Sequence, residues 1–206
     1  MIIESVKKIN DKKDSFAVLF DNGAELRVSP AQIADFAIYS GRVLSEEEYE
    51  ELQESLSLNS AKARAMRILG SRMLSAREIE KRLRSKGESA ETAQMTVKWL
   101  EETGLINDED HANSIVSYYA GKGYGKARIR NELFKRGIDR ELWEDAMSCL
   151  DDSGDAAFKF ISKKLAGRRD KDDLRRAADT LCRRGFSYDE ARAAINRYLE
   201  QLGDKE

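Results

Sequence analysis

Apolar and polar positions alternate in short runs between residues 1 and 28, whereas from Asn59 onward apolar residues recur every three or four positions. The first period is that of half-buried strands and the second that of amphipathic helices. Runs at Ile2–Ile9, Ser15–Phe20 and Ala24–Val28 predict a small β-meander or hairpin, with Asp21-Asn22-Gly23 as the turn between the last two. Ser29 before Pro30 reads as an N-cap followed by proline in the first helical turn. Ser45 before Glu46, Glu47 and Glu48 reads as a capping box with acids at the positive end of the helix dipole. Two helices are therefore expected to follow the strands.

The helical part repeats. Gly87, Gly137 and Gly185 lie 50 and 48 residues apart, with Leu83, Leu133 and Leu181 four positions before them and Ile79, Ile129 and Ala177 eight before. Each glycine thus ends a helix whose apolar face runs at i, i+4 into its last turn, as a C-terminal cap does. After each glycine a second stripe follows: Ala93, Val97, Leu100; Trp143, Met147, Leu150; Ala191, Ile195, Tyr198. A further helical stretch precedes each capped helix, at Ala61–Arg72, Glu109–Ala120 and Asp155–Ala166. The expected architecture is mainly α, with three tandem three-helix repeats sharing cores with their neighbours in an elongated, curved solenoid. The segments are residues 1–58, an acidic β-containing module with helices, then repeats at 59–107, 108–152 and 153–206.

The 206 residues carry 36 Lys and Arg against 38 Asp and Glu, a net charge of -2, so any attraction to nucleic acid has to be local. Residues 1–58 hold six basic and twelve acidic side chains, and the remainder thirty and twenty-six, which sets a net +4 on the repeats. One Pro and 8% aromatic residues suit a helix-rich chain. Two cysteines, Cys149 and Cys182, no apolar run long enough to span a bilayer and no leader pattern point to a soluble, reduced, cytoplasmic protein, expected as a monomer. A single histidine, His111, leaves out ordinary structural zinc and histidine-based triads, and no catalytic residue, cofactor or metal site is assigned.

The candidate binding residues are cationic. They are Lys122, Lys126, Arg128, Arg130, Lys135 and Arg136 in the second repeat, and Lys159, Lys163, Lys164, Arg168, Arg169, Arg175, Arg176, Arg183 and Arg184 in the third. Lys86, Arg136 and Arg184 occupy the same place, directly before the repeat glycine. They fit either one anion contact per repeat or complements of the helix dipole. Interspersed acids equally allow i, i+4 ion pairs on solvated faces. Gly121-Lys-Gly-Tyr-Gly125 lacks the Gly-Lys-Ser/Thr ending of a P-loop and follows a helix, so it reads as a tight interhelical turn. Trp99 and Trp143 read as packing residues. Tyr118, Tyr119 and Tyr124 could stack bases but fit a core edge equally. His111 lies in a run of acids that suits a helix start better than a metal, and Cys149 and Cys182 sit on helical faces as small hydrophobes.

The segment Gly125–Ile138 (GKARIRNELFKRGI), with Asn107–Tyr119 (NDEDHANSIVSYY) before it, resembles the middle repeat of the RecX family of regulatory proteins. Asp108 and Glu109 match the family's acidic helix start and Ala112 its small residue. Gly125, Ile129, Glu132, Leu133, Gly137 and Ile138 match its capped central helix. Looser matches are Ser75, Glu78, Leu83 and Gly87 in the first repeat, and Leu181, Arg184, Gly185, Phe186 and Ala191 in the third. His111 stands where the family commonly has an aromatic residue, and Ser117–Ala120 lacks its arginine. The resemblance covers about residues 60 to 200.

The resemblance implies a non-enzymatic protein that binds the RecA recombinase filament in its groove and reduces ATP hydrolysis, strand exchange and co-protease function, with single- or double-stranded DNA as a partner inside the filament. Charge reversal at Lys163, Lys164, Arg168 and Arg169 is expected to weaken that binding without unfolding the chain. A stand-alone helical DNA-binding protein and a general protein-interaction scaffold are the alternatives.

Overall fold

The structure is a computed structural model that describes residues 1–10, 13–70, 72–148, 150 and 153–203. Two compact units are present: residues 1–70 with 83–96, and residues 71–82 with 97–206.

In the first unit β1 (Ile3–Asn10), β2 (Lys13–Phe20) and β3 (Glu25–Val28) form an antiparallel sheet in the order β1-β2-β3. Val18 stands opposite both Val6 and Leu26, and Phe20 opposite Ile3. The expected turn closes β2 onto β3: the Phe20 N–H donates to the Ala24 carbonyl, and the Asn22 side chain accepts from the Ala24 N–H. The predicted N-cap at Ser29 and capping box at Ser45 both form, Ser45 with Glu48 at α2 (Glu46–Leu69), and Ser29 also closes a box with Gln32 at α1 (Pro30–Asp35). Ile3, Val18, Phe20, Val28, Ile38, Leu44 and Leu52 make the core between sheet and helix. The Phe20 and Tyr49 rings meet edge to face there, at 5.3 Å.

One sequence-based expectation is corrected in this unit. The helix that Ser45 opens runs on without interruption into the stretch expected to start at Ala61, as one 24-residue helix, α2, which crosses residues 58 and 59 and ends at Leu69. Nothing between Glu54 and Ala61 stops a helix: there is no Pro or Gly, and Leu56, one turn after buried Leu52, continues the apolar stripe.

The two helices that follow, α3 (Ala76–Ser85) and α4 (Ala90–Glu102), each contribute to both units. The second unit continues with α5 (Asp108–Gly121), α6 (Lys126–Lys135) and α7 (Glu141–Ser148), then α8 (Ser153–Leu165), α9 (Lys171–Arg183) and α10 (Tyr188–Gly203). The stripes read from the sequence are inside: Ile79, Leu83, Ile129, Leu133, Ala177 and Leu181 are all buried. Gly87, Gly137 and Gly185 have positive φ, the backbone a C-terminal cap requires.

The cores are not shared as expected. Ala112, Ile115, Val116, Ile129, Leu133, Ile138, Ala146 and Met147 form one cluster from α5 to α7, while α8 to α10 close around Ala157, Ile161, Leu165, Ala177, Leu181, Phe186, Ala191, Ala194 and Tyr198. Three amphipathic helices suffice to enclose each stripe, with polar ties completing the third group. The Tyr198 hydroxyl accepts from the Gly167 N–H at 2.7 Å and donates to the Arg168 carbonyl. Consecutive groups are tied instead by hydrogen bonds to backbone carbonyls. Ser75, which caps α3 in a box with Glu78, donates its hydroxyl to the Arg136 carbonyl. One repeat later Gly125, at the start of α6, donates its N–H to the Arg184 carbonyl at 2.9 Å, and Ala127 donates to the Gly185 carbonyl at 3.1 Å. Ser75 and Gly125 each lie 12 residues before their repeat glycine, so both joints use the same two places in the repeat.

Candidate functional site

A cleft of about 770 Å³ opens where the α5–α6 turn faces α8. One side is made by Val116, Ser117 and Ala120 of α5, the turn Gly121–Gly125, and Lys126 at the start of α6. The other is the face of α8 bearing Asp155, Ala156, Lys159, Phe160 and Lys163, with Leu150, Arg184 and Phe186 completing the lining. Asp155, Lys159 and Lys163 are spaced i, i+4, i+8, which places them on a single face of the helix.

Five cations, Lys122, Lys126, Lys159, Lys163 and Arg184, thus converge against one carboxylate. That carboxylate, Asp155, is 2.6 Å from Arg197, whose hydrogen bond holds it below the usual carboxylate range. Lys122 donates to the Tyr118 hydroxyl and stands 4.1 Å from the centre of its ring; the hydroxyl raises the ammonium's pKa above its ordinary value. A concave surface with an excess of one sign of charge concentrates the field and draws counter-ions, here anions. Among its lining residues the cleft has no histidine or cysteine, so what it offers is positive charge and hydrogen-bond donors.

Arg184 differs from the four lysines. Its Nη1 donates to the carbonyls of Lys122 and Gly123 at 3.1 and 3.2 Å, and its guanidinium lies 5.2 Å from the Tyr124 ring centre and 4.6 Å from that of Phe160. The Gly121–Gly125 segment is the tight interhelical turn expected, ending in the glycine that docks on the α9–α10 connection.

A family model described as the RecX first three-helix domain matches residues 61–100, and one described as the RecX second three-helix domain matches residues 107–147. A regulatory protein RecX of Xanthomonas axonopodis pv. citri is 33% identical over 140 residues, 66% of this chain and 86% of that protein. The chain belongs to the RecX family. The regulatory protein RecX of Finegoldia magna aligns with 96% of the chain and all of its own length at 26% identity. A crystal structure of regulatory protein RecX shares the fold over 95% of this chain and 98% of its own, with a TM-score of 0.76 at 19% identity. RecX from Lactobacillus salivarius shares it over 69% of this chain and 97% of its own, with a TM-score of 0.63 at 23% identity. The two domain matches stop before α8, so this RecX chain builds the α8 side of its cleft outside them.

Most of the other candidate cations of this chain engage partners outside the cleft. Arg128 and Lys135 reach the carboxylate of buried Glu132 at 3.0 and 3.3 Å. Burial pushes that carboxyl up, but the Lys135 and Tyr119 hydrogen bonds and the Arg128 charge outweigh it and leave it below its ordinary value. Arg130 pairs with Glu144 across the α6–α7 surface, and Arg136 offers its carbonyl to Ser75. Lys164 donates to Thr180. Arg168 pairs with Asp173 and donates to the carbonyls of Leu165 and Lys164, so charge reversal there also disturbs the end of α8. Arg169 donates to the Leu202 carbonyl, and Arg176 lies 4.0 Å from Asp173. Arg183 donates to the Asp179 carbonyl near the end of α9, and Arg175 is exposed on the same helix. Charge alone did not separate these from the cleft residues. The i, i+4 spacing of Lys159 and Lys163 beside Phe160 is the signal that could have.

The readings of the remaining residues follow their surroundings. Trp143 packs on the second core and donates its indole N–H to the Ile138 carbonyl, and Tyr119 packs on the same core with Tyr118 and Tyr124 beside it. His111 is buried, with no hydrogen-bond partner at Nδ1. Burial, with Arg136 second, lowers its pKa. No three His, Cys, Asp or Glu among the described residues are placed to hold a metal ion. Cys182 is free and exposed, and Cys149 lies outside the described residues. Among the described residues no helix is long and apolar enough to cross a membrane.

Proposed function

We propose that this protein is a non-enzymatic cytoplasmic regulator that binds the RecA recombinase filament and inhibits its ATPase, strand-exchange and co-protease activities, acting as a monomer. The observation that supports it is the cleft: five cations gathered into one concavity by a chain whose net charge is -2. That arrangement suits a ligand presenting a row of negative charge, as the DNA and acidic surfaces of a nucleoprotein filament do. Lys122, Lys126, Lys159 and Lys163 are the residues assigned to the contact.

The test is single-stranded-DNA-dependent ATP hydrolysis by the cognate RecA while this protein is titrated in, with DNA-only anisotropy at two salt concentrations as the control. Inhibition at protein levels that leave the DNA largely unbound in the control supports a filament regulator. Strong DNA binding without inhibition at micromolar excess makes it a stand-alone DNA-binding protein instead. Neither inhibition nor DNA binding leaves the interaction scaffold.

A further inference from the structure

We propose that Arg184 is the positioning residue of the cleft: its side chain is committed to the neighbouring three-helix group and sets the separation of the two lysine-bearing sides. The inference rests on the cleft being the ligand site. Two of those lysines, Lys122 and Lys126, belong to the α5–α6 turn and the start of α6, and the other two, Lys159 and Lys163, belong to α8. The two groups carrying them have separate hydrophobic cores, so apolar packing within either core does not hold one against the other.

Arg184 reaches both sides. Nη1 is bonded to two carbonyls of the turn, while the guanidinium also lies against Phe160, which sits on α8 between Lys159 and Lys163. The backbone adds a second tie, from the Gly125 and Ala127 N–H groups to the carbonyls of Arg184 and Gly185. A row of ligand charges at fixed spacing is met only by cations at fixed spacing, and preorganising them removes an ordering cost from binding. Lysine cannot replace arginine in this place, because it lacks the planar fork that bonds carbonyls while stacking on rings. The backbone at this place is used in every repeat: the carbonyls of Lys86, Arg136 and Arg184 accept from Arg64, Ser75 and Gly125.

The experiment uses the full chain with Cys149→Ser and Cys182→Ser, spin-labelled at Asn131→Cys on α6 and Asn196→Cys on α10, both exposed positions. Inter-label distances and affinity for RecA filaments on oligo(dT) are measured for the parent, Arg184→Lys, Arg184→Gln and Lys159→Gln/Lys163→Gln. Arg184 is not a member of the third core, so its variants are expected to keep the parent's helical circular dichroism. The proposal expects both Arg184 variants to broaden the distance distribution and bind about tenfold more weakly, with lysine giving no rescue. A parent-like distribution in both variants overturns it, as does rescue of affinity by lysine but not glutamine, the mark of a direct anion contact. The double lysine variant should bind weakly with a parent-like distribution. Parent-like affinity there defeats the cleft as ligand site, while the distances still decide the role of Arg184.

Discussion

Gly125 and Gly185 touch backbone to backbone: a Cβ on Gly125 would lie 2.3 Å from the Gly185 carbonyl oxygen, and one on Gly185 would lie 2.4 Å from the Arg128 nitrogen. Neither neighbour is a flexible side chain that can turn aside. Gly185 also sits at φ +93°, where a side chain is strained in any case. Gly125→Ala and Gly185→Ala are each expected to cost about 1 to 3 kcal/mol, the second more than the first, measured by urea unfolding. Gly87→Ala, with nothing within 4 Å of its Cβ position, isolates the cost of backbone conformation alone.

Lys122, Lys126, Lys159 and Lys163 should act differently from the cations outside the cleft. Substituting any of the four by glutamine is expected to weaken filament binding, and where the lysine meets a phosphate the slope of log K against log salt falls by about 0.7 to 0.9. Arg130→Gln, which removes an exposed pair with Glu144, should leave both affinity and slope unchanged. Equal losses across all five variants would mean that the charge acts diffusely.

His111 makes the protein less stable on mild acidification. Its pKa is lowered by burial and by Arg136, so between the ordinary value of about 6.5 and the lower native one the unfolded chain binds the extra proton. The neutral ring's contribution is present above that ordinary value and is lost as pH falls through the window. Asp108, raised chiefly by burial, acts with the opposite sign at lower pH, in the carboxylate range. Unfolding free energy measured from pH 7.5 to 5.5 should therefore fall with acid in the parent and fall less in His111→Phe.

Glu132 holds Arg128, Lys135 and Tyr119 together from a buried position. Glu132→Ala should cost about 1.5 to 3 kcal/mol, the usual range for hydrogen bonds to a charged group, read from chemical denaturation. With its native pKa lowered, the carboxylate's contribution is present at neutral pH and is lost as pH falls through the carboxylate range, so the gap between variant and parent should narrow in acid.

Much of the fold is legible in short stretches. Strand alternation, the Asn22-Gly23 turn, the N-cap at Ser29, the capping box at Ser45 and the three repeat glycines depend on neighbours within a few residues, so residue types at close spacing specify them. The uninterrupted course of α2 was hidden because a surface turn and a polar helix face have similar composition around Asn59.

What the sequence by itself determined was the identity and ends of most elements, the threefold repeat, the position of every charge and, through the Gly125–Ile138 motif, the family. Tertiary structure alone decided which charges lie together. Lys122 and Lys163 are 41 residues apart and share a cleft, whereas Lys163 and Lys164 are adjacent and only Lys163 lines it, since successive helical residues point about 100° apart. It also decided that neighbouring groups join through Gly125, Arg184 and Gly185 rather than through a common core. Helix periodicity reports which side of a helix is buried, but not which distant backbone that side will meet.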